Sequence, residues 1–273
     1  MEWRDRGLVL SRRPYGDTGA VVSLLTAEHG RHAGLLRGQR SARGIDIGAR
    51  VDAVWRARLP EHLGAWRLEV AGVPAGALLR DRLALAALVS ACALADAALP
   101  EREPHGDLYA ATEALLDAIA AQPPGWPAVL VRWELGLLQS LGYGLALERC
   151  GATGLDAAQA PGGLTHVSPR TGNAVSAEAA APYADRLLAL PPFLRPPAAG
   201  PAVDSPRDAA PTRAEVAAGL ALTGHFLERR LFLGEGREIP DARGRFVSRY
   251  LKQGEGGADS LSQPPADPAG HDI

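Results

Sequence analysis

Val51-Asp-Ala-Val-Trp-Arg-Ala-Arg-Leu59 decides the reading of the first third of the chain. Val51, Ala53, Trp55, Ala57 and Leu59 alternate with Asp52, Val54, Arg56 and Arg58, the period of a strand with one face in a core and the other in water. Pro60-Glu-His-Leu-Gly64 follows as a turn, and Trp66, Leu68 and Val70 then alternate with Arg67 and Glu69, so the two runs predict a hairpin. Upstream, Gly7 to Arg13, Ala20 to Thr26 and Arg31 to Arg37 are further short apolar runs, parted by turn signals at Pro14-Tyr-Gly-Asp17 and Glu28-His-Gly30. Five short strands predict a small Greek-key barrel of the OB type rather than a sandwich, which usually needs about seven or more.

Near Arg80 the chain changes character to long stretches of Ala and Leu. Leu83 to Leu99 predicts a helix ended by Pro100-Glu-Arg-Glu-Pro104, and Leu108, Thr112, Leu115, Leu116 and Ile119 line a second, closed by Pro123-Pro-Gly125. Pro127 opens a third, Ala128 to Leu141, apolar on nearly every side and so expected at the centre of a bundle. Arg132 within it, with Glu134 close by, is costly to bury unless it reaches the surface or a partner. Thr212-Arg-Ala-Glu215 is a capping box opening a late helix with Val216, Leu220, Thr223, Leu227 and Leu231 in one stripe. The expected fold class is α+β: a barrel over residues 1–80, a helical domain over 81–252 with an irregular insertion at about 145–210, and a disordered tail at 253–273.

The 273 residues carry a net charge of −2, yet residues 1–80 hold 13 Arg against 8 Asp plus Glu, so a basic head sits on an acidic body. An OB barrel binds single strands by tracking the backbone with cations and stacking bases on aromatic rings. Arg12, Arg13, Arg31, Arg37, Arg40, Arg43, Arg56 and Arg58 are candidates for the first task, and Tyr15 in its Pro-Tyr-Gly turn for the second. Any one of these arginines is equally an ordinary solvated charge; their joint excess carries the reading. Trp55 and Trp66 are in phase with aliphatic neighbours and are read as core. His29 and His32 lie three apart, but no Cys or further His is near them in sequence, so no metal is expected there.

No phosphate loop of the Gly-x-x-x-x-Gly-Lys type is present, and Ser, His and Asp lie scattered without a nucleophile motif, so a binding protein is expected rather than an enzyme, with no cofactor. Two cysteines are too few for a disulfide framework and the N-terminus lacks the apolar core of a secretory signal, which points to the cytoplasm. No apolar run reaches the roughly 18 residues of a membrane span.

Trp3-Arg-Asp-Arg-Gly-Leu-Val-Leu-Ser-Arg-Arg-Pro-Tyr-Gly-Asp17, Leu25-Thr-Ala-Glu-His-Gly30, Leu36-Arg-Gly38, Arg132-Trp-Glu-Leu-Gly-Leu-Leu138, Leu141-Gly-Tyr143 and Cys150, in this order, resemble the RecO recombination mediator family. The resemblance implies an N-terminal OB domain on a helical domain that carries a small zinc-ribbon-like insertion. It also implies binding and annealing of single-stranded DNA, contact with RecR and with the tail of single-stranded-DNA-binding protein, and help in loading RecA in a bacterial, nucleoid-associated setting. Family members with zinc carry two Cys-x2-Cys pairs; the matching positions here are Cys150, Thr153, Ser176 and Ala179, guided by Ser168-Pro-Arg-Thr-Gly172. One thiolate does not make a tetrahedral structural zinc site, so the insertion is expected to be a degenerate, metal-free remnant. The family's docking of the acidic, hydrophobic tail on the helical domain makes Arg132 the candidate partner-binding cation. The residues alone do not separate DNA from RNA, or a mediator from an OB-type adaptor.

Overall fold

Strands β1 (Glu2–Tyr15), β2 (Gly19–Thr26), β3 (Gly30–Leu36), β4 (Arg50–Arg56) and β5 (Ala65–Gly72) close into a barrel in the order β1-β2-β3-β5-β4. The structure is a computed structural model that describes residues 1–38, 44–59, 61–72, 81–195 and 210–253. All pairings are antiparallel except β3 with β5, the seam that closes the OB barrel. The interior follows the alternation in the sequence: Val9, Val22, Leu24, Leu36, Val51, Ala53, Trp55 and Trp66 form one core. Trp3 pairs with Trp55 and Trp55 with Trp66, so three indoles share one layer. Gly34 lets this layer close, since a Cβ there would lie 2.6 Å from the Trp66 indole nitrogen. Two positions depart from expectation. Leu59 and Val70 are exposed, because β4 ends at Arg56 and β5 is buried only at its start.

Each strand begins at least one residue before its apolar run, and β1 extends beyond its own at both ends, whereas β3 and β4 stop short at Leu36 and Arg56. A bulge between Val9 and Ser11 sets two β1 residues against one β2 step. Beyond it Ser11 pairs with Ser23, Arg13 with Val21 and Tyr15 with Gly19, so the second half of β1 is rotated by one residue and presents Arg13 and Tyr15 on the outer face.

The outer face of the first half goes elsewhere. Leu8, Leu10 and Leu25 belong to the second core, shared with α1 (Arg82–Ala98), α2 (Gly106–Ala121), α3 (Pro127–Ser140) and α5 (Arg213–Phe226). Asp81 caps α1 by accepting from the Leu83 and Ala84 amides, and the box of Thr212 and Glu215 closes reciprocally on α5. α5 runs on through a π-helical turn, Leu227–Phe232, and α6 (Asp241–Lys252) packs back on α1. Between α3 and α5 the stretch expected to be irregular holds a four-stranded sheet in the order β6-β8-β7-β9, with β6 (Ala146–Cys150), β7 (Leu164–Val167), β8 (Asn173–Ser176) and β9 (Leu188–Ala189), and with the short helix α4 (Ala177–Ala180) after β8. Its strands of two to five residues are too short to show a period in the sequence. The expected tail lies outside the described residues from Gly254 onward.

Glu134 on α3 is fully buried, and its partner is not the neighbouring Arg132 but Arg243 on α6, whose Nε and Nη2 donate to its two oxygens at 2.8 and 2.9 Å. The Thr223 hydroxyl donates to the same carboxylate, and Arg243 Nη2 also reaches the Leu220 carbonyl at 2.8 Å. Removing one member of such a pair leaves a buried charge alone, at about 3–5 kcal/mol. Arg243→Met should therefore lower the urea midpoint strongly, and adding Glu134→Leu should recover most of the loss; equal midpoints for wild type and single variant would contradict this account.

His32 lies inside the barrel against Trp3, Trp55 and Trp66. Burial, with Arg102 and His29 nearby, pushes it down to about 4 from an ordinary 6.5. A group depressed on folding adds stability that is complete above its unfolded value and is lost as pH falls toward the folded one, here between about 6.5 and 4 and worth roughly 3 kcal/mol. The melting temperature of His32→Phe is expected to fall less steeply than wild type across that window.

Candidate nucleic-acid interface

With α1 covering the lower outer face, the exposed part of the barrel is the β1–β2 turn, the end of β3 and the adjoining faces of β5, β4 and β1. Register places Arg13, Val21, Leu35, Ala65 and Arg56 in one cross-strand row. The next row begins with Tyr15 and Gly19, passes Arg37 and Arg67, which each follow the paired Leu36 and Trp66, and ends at Val54 and Arg4. Tyr15 is 58 % exposed, a ring in water with its face free for stacking.

The candidate arginines divide by what holds them. Arg37 and Arg58 are exposed and have no carboxylate partner among the described residues. Arg13, 77 % exposed, lies 3.6 Å from the largely buried Asp96, and Arg12 on the barrel rim lies 4.0 Å from the exposed Asp46; both contacts are long and leave the guanidinium available. Arg56 is exposed but chelated by Glu2 at 2.6 and 3.1 Å, a contact that holds Glu2 below and Arg56 above its ordinary value.

Arg31 corrects the sequence reading. Its side chain is only 18 % exposed, Nε donates to the Leu99 carbonyl at 2.7 Å, and Nη1 meets Asp96 and Glu101 at 3.6 and 3.5 Å. It is a clamp between barrel and helices, not a free cation. Gly30 beside it, with φ 68°, has the Glu103 carbonyl 2.0 Å from where a Cβ would sit, so the β2–β3 turn lies directly on the segment that joins α1 to α2. Arg40 and Arg43 lie outside the described residues. Arg4 and Arg67 join the surface although the sequence reading left them out; Arg67 reads as outward, but only the barrel order shows that it neighbours Arg37. Arg67 is bonded to Glu69 at 3.1 Å, and the groove below it also holds Asp5, Glu28 and Asp52, so cationic excess is confined to the Tyr15 end.

Arg132 is exposed on α3, with Cζ 5.5 Å from the Phe193 ring centre and Nη2 donating to the Phe193 carbonyl at 3.3 Å. Its charge meets no carboxylate among the described residues, so an outside anion would find a guanidinium already braced on an aromatic ring. In the small sheet, Cys150 Sγ lies 3.6 Å from Ser176 Oγ and accepts from the Ser176 amide at 3.3 Å. Burial pushes this thiol up, but hydrogen bonds from Thr153 and Ser176 outweigh it and hold it at about 6. Ser176 Oγ in turn caps α4 by accepting from the Ala179 amide. Hydroxyls and a methyl are poor zinc ligands, and the four positions do not fit the ion. No group of three or more His, Cys, Asp or Glu among the described residues is arranged to hold a metal, and no helix among them is long and apolar enough to cross a membrane.

The profile described as Recombination protein O N terminal matches residues 1–70, and that described as Recombination protein O C terminal matches residues 79–237. The chain belongs to the RecO family. It is 54 % identical over 256 residues to the DNA repair protein RecO of Rhodospirillum centenum, covering 92 % of this chain and 96 % of that one. It is 48 % identical over 259 residues to the RecO of Rhodospirillum rubrum, with 92 % and 97 % covered, and 47 % identical over 258 residues to that of Phenylobacterium zucineum, with 93 % and 99 % covered. The barrel is therefore the OB-fold part of a RecO-family DNA repair protein, and the two profiles part between residues 70 and 79, beside the change in composition near Arg80.

Elemental analysis of the purified protein should find well under one zinc per chain, and a chelator should leave its melting temperature in place. A stoichiometric, stabilising zinc would overturn the assignment of Cys150, Thr153, Ser176 and Ala179.

Proposed function

We propose that the protein is a non-catalytic recombination mediator that binds and anneals single-stranded DNA at the Tyr15 end of its barrel. It acts with RecR and with single-stranded-DNA-binding protein to load RecA at gaps and breaks, in the cytoplasm on the nucleoid. The observation that carries this reading is the set of available cations Arg12, Arg13, Arg37 and Arg58 on the same barrel as an exposed Tyr15, in a RecO-family chain. Cations follow the phosphates and the ring offers a sequence-tolerant platform for a base. Such a surface suits annealing, since backbone and ring faces are engaged and the pairing edges stay free. On the helical side, Arg132 with Phe193 offers what a tail ending in a carboxylate and apolar side chains needs: a bidentate donor next to an aromatic face.

Replacing Arg12, Arg13 and Arg37 together by Ala should weaken single-strand binding and reduce the slope of log affinity against log salt by about 2, at roughly 0.7 for each phosphate that is no longer neutralised. The same affinity and slope in a folded variant would move the site elsewhere, and preference for RNA in competition would replace the DNA reading. Arg132→Ala should lower affinity for the tail peptide about tenfold in calorimetry and impair annealing of coated strands, while naked strands anneal as before. Unchanged peptide affinity would leave Arg132 as a brace for Phe193 only.

A further inference from the structure

At the mouth of the barrel formed by the start of β1, the end of β4 and the β2–β3 turn lies a cavity of about 220 Å³. Trp3, His29, His32 and Trp55 supply its rings, Pro104 and Met1 complete its apolar wall, and Arg102 and Glu28 bring one charge of each sign to it. It is smaller than the roughly 300–1,000 Å³ of sites for larger ligands, and half of its lining residues carry flat aromatic rings. The walls are fixed in advance. His29 stacks on Trp3 with ring centres 3.9 Å apart and planes 4° from parallel, and its Nδ1 is held by Asp5 at 2.9 Å. Arg102, in left-handed backbone with φ 66°, is pinned by its amide to the Arg31 carbonyl and by Nη2 to the His62 carbonyl.

His32 is the feature that these walls do not explain. It is 4 % exposed, and neither ring nitrogen has a hydrogen-bond partner. Edge contacts with Trp3, Trp55 and Trp66 give it packing but no conventional donor or acceptor. A neutral imidazole carries one N–H and one lone pair, and leaving both unused in a buried site is costly. The ligand that answers this is a flat heteroaromatic ring with donors and acceptors along its edge. The cavity is also reached from the proposed strand path along one row: Leu36, Trp66, Trp55 and Trp3 lie one residue away along each strand from Arg37, Arg67, Val54 and Arg4, a row that starts at Arg37 beside the Tyr15 end and crosses the mixed-charge groove of Arg67 and Arg4.

We propose that this mouth is a nucleobase pocket, in which one base of the bound single strand turns off the outer face and sets its edge against His32 between Trp3 and Pro104, with Arg102 near its phosphate. The proposal rests on the single-strand reading above, and adds to it a fixed anchor at which the strand is held by a base as well as by charge.

The test compares a 20-nucleotide thymidine oligomer with an abasic oligomer of the same length and charge, on the full chain, by fluorescence anisotropy. Wild type should bind the base-bearing strand at least about fivefold more tightly, in line with stacking of a single base. Tyr15→Ala, which removes the exposed platform, should lower the preference but leave a clear remainder, and His32→Phe, which puts a ring lacking nitrogens at the mouth, should abolish that remainder in the Tyr15→Ala background while binding the abasic strand as Tyr15→Ala does. Quenching of tryptophan fluorescence by the base-bearing strand alone gives a second readout that needs no variant. A preference that vanishes in Tyr15→Ala and survives in His32→Phe, or equal binding of the two strands by wild type without selective quenching, overturns the pocket and leaves the charged interface standing. Failure of wild type to bind either strand overturns both.

Discussion

The division of the barrel's outer surface by α1 is the constraint on which the remaining structure depends. Leu8, Leu10 and Leu25 point away from the barrel interior and are buried only because the helical core receives them. The hydrophobic effect acts on this seam at about 25 cal/mol for each Å² of apolar surface withdrawn. Polar ties then fix its register: Arg31 to Leu99, Asp96 and Glu101, and Arg50 to Glu113 and Asp117 at 3.4 and 2.6 Å. Whatever binds the barrel must use the surface that the seam leaves open. The same division sorts arginines of one composition into two kinds, those consumed in joining the two cores and those left to the solvent.

Burial of charge follows a different logic in the helical part. Glu134 and Arg243 lock α3, α5 and α6 together through Thr223 and the Leu220 carbonyl, a geometry that a slipped α6 would not satisfy. α6 buries few apolar side chains, chiefly Phe246 and Tyr250, so this pair is well placed to select its register as well as to hold it. In the small sheet, hydrogen bonds link Cys150 with Thr153 and Ser176 and tie Ser176 to the α4 amide, and a hydrophobic lining of Leu164, Val167 and Ala174 belongs to the main core. The sheet is thus joined to the helices by one continuous core.

The barrel was legible because alternation is a local property: Trp55 and Trp66 announce their burial through the residues on either side. The first three helices and the capping box were legible for the same reason. Arg31 was not, since nothing near it in sequence marks Leu99 or Asp96 as its partners. α6 escaped because its apolar positions are few, and the small sheet because its strands are shorter than the period that would reveal them. The outward direction of most of these cations is visible in the alternation, but their grouping into rows depends on which strands become neighbours, and the β3–β5 seam joins runs that are about 30 residues apart.

The bulge in β1 has a consequence for how this chain tolerates change. It acts as a frame shift in space: the residues before it and the residues after it are read out on opposite phases of the same strand. If the bulge closed with every residue kept, the ladder would run on in the phase of Val9 and turn Arg13 and Tyr15 inward and Arg12 outward, exchanging a solvated face for a core face, whereas deleting one residue together with the bulge would leave Arg13 opposite Val21. Residue count and bulge are thereby coupled between Val9 and Tyr15: the segment keeps its faces when both are kept or both are lost, and exchanges them when only one is.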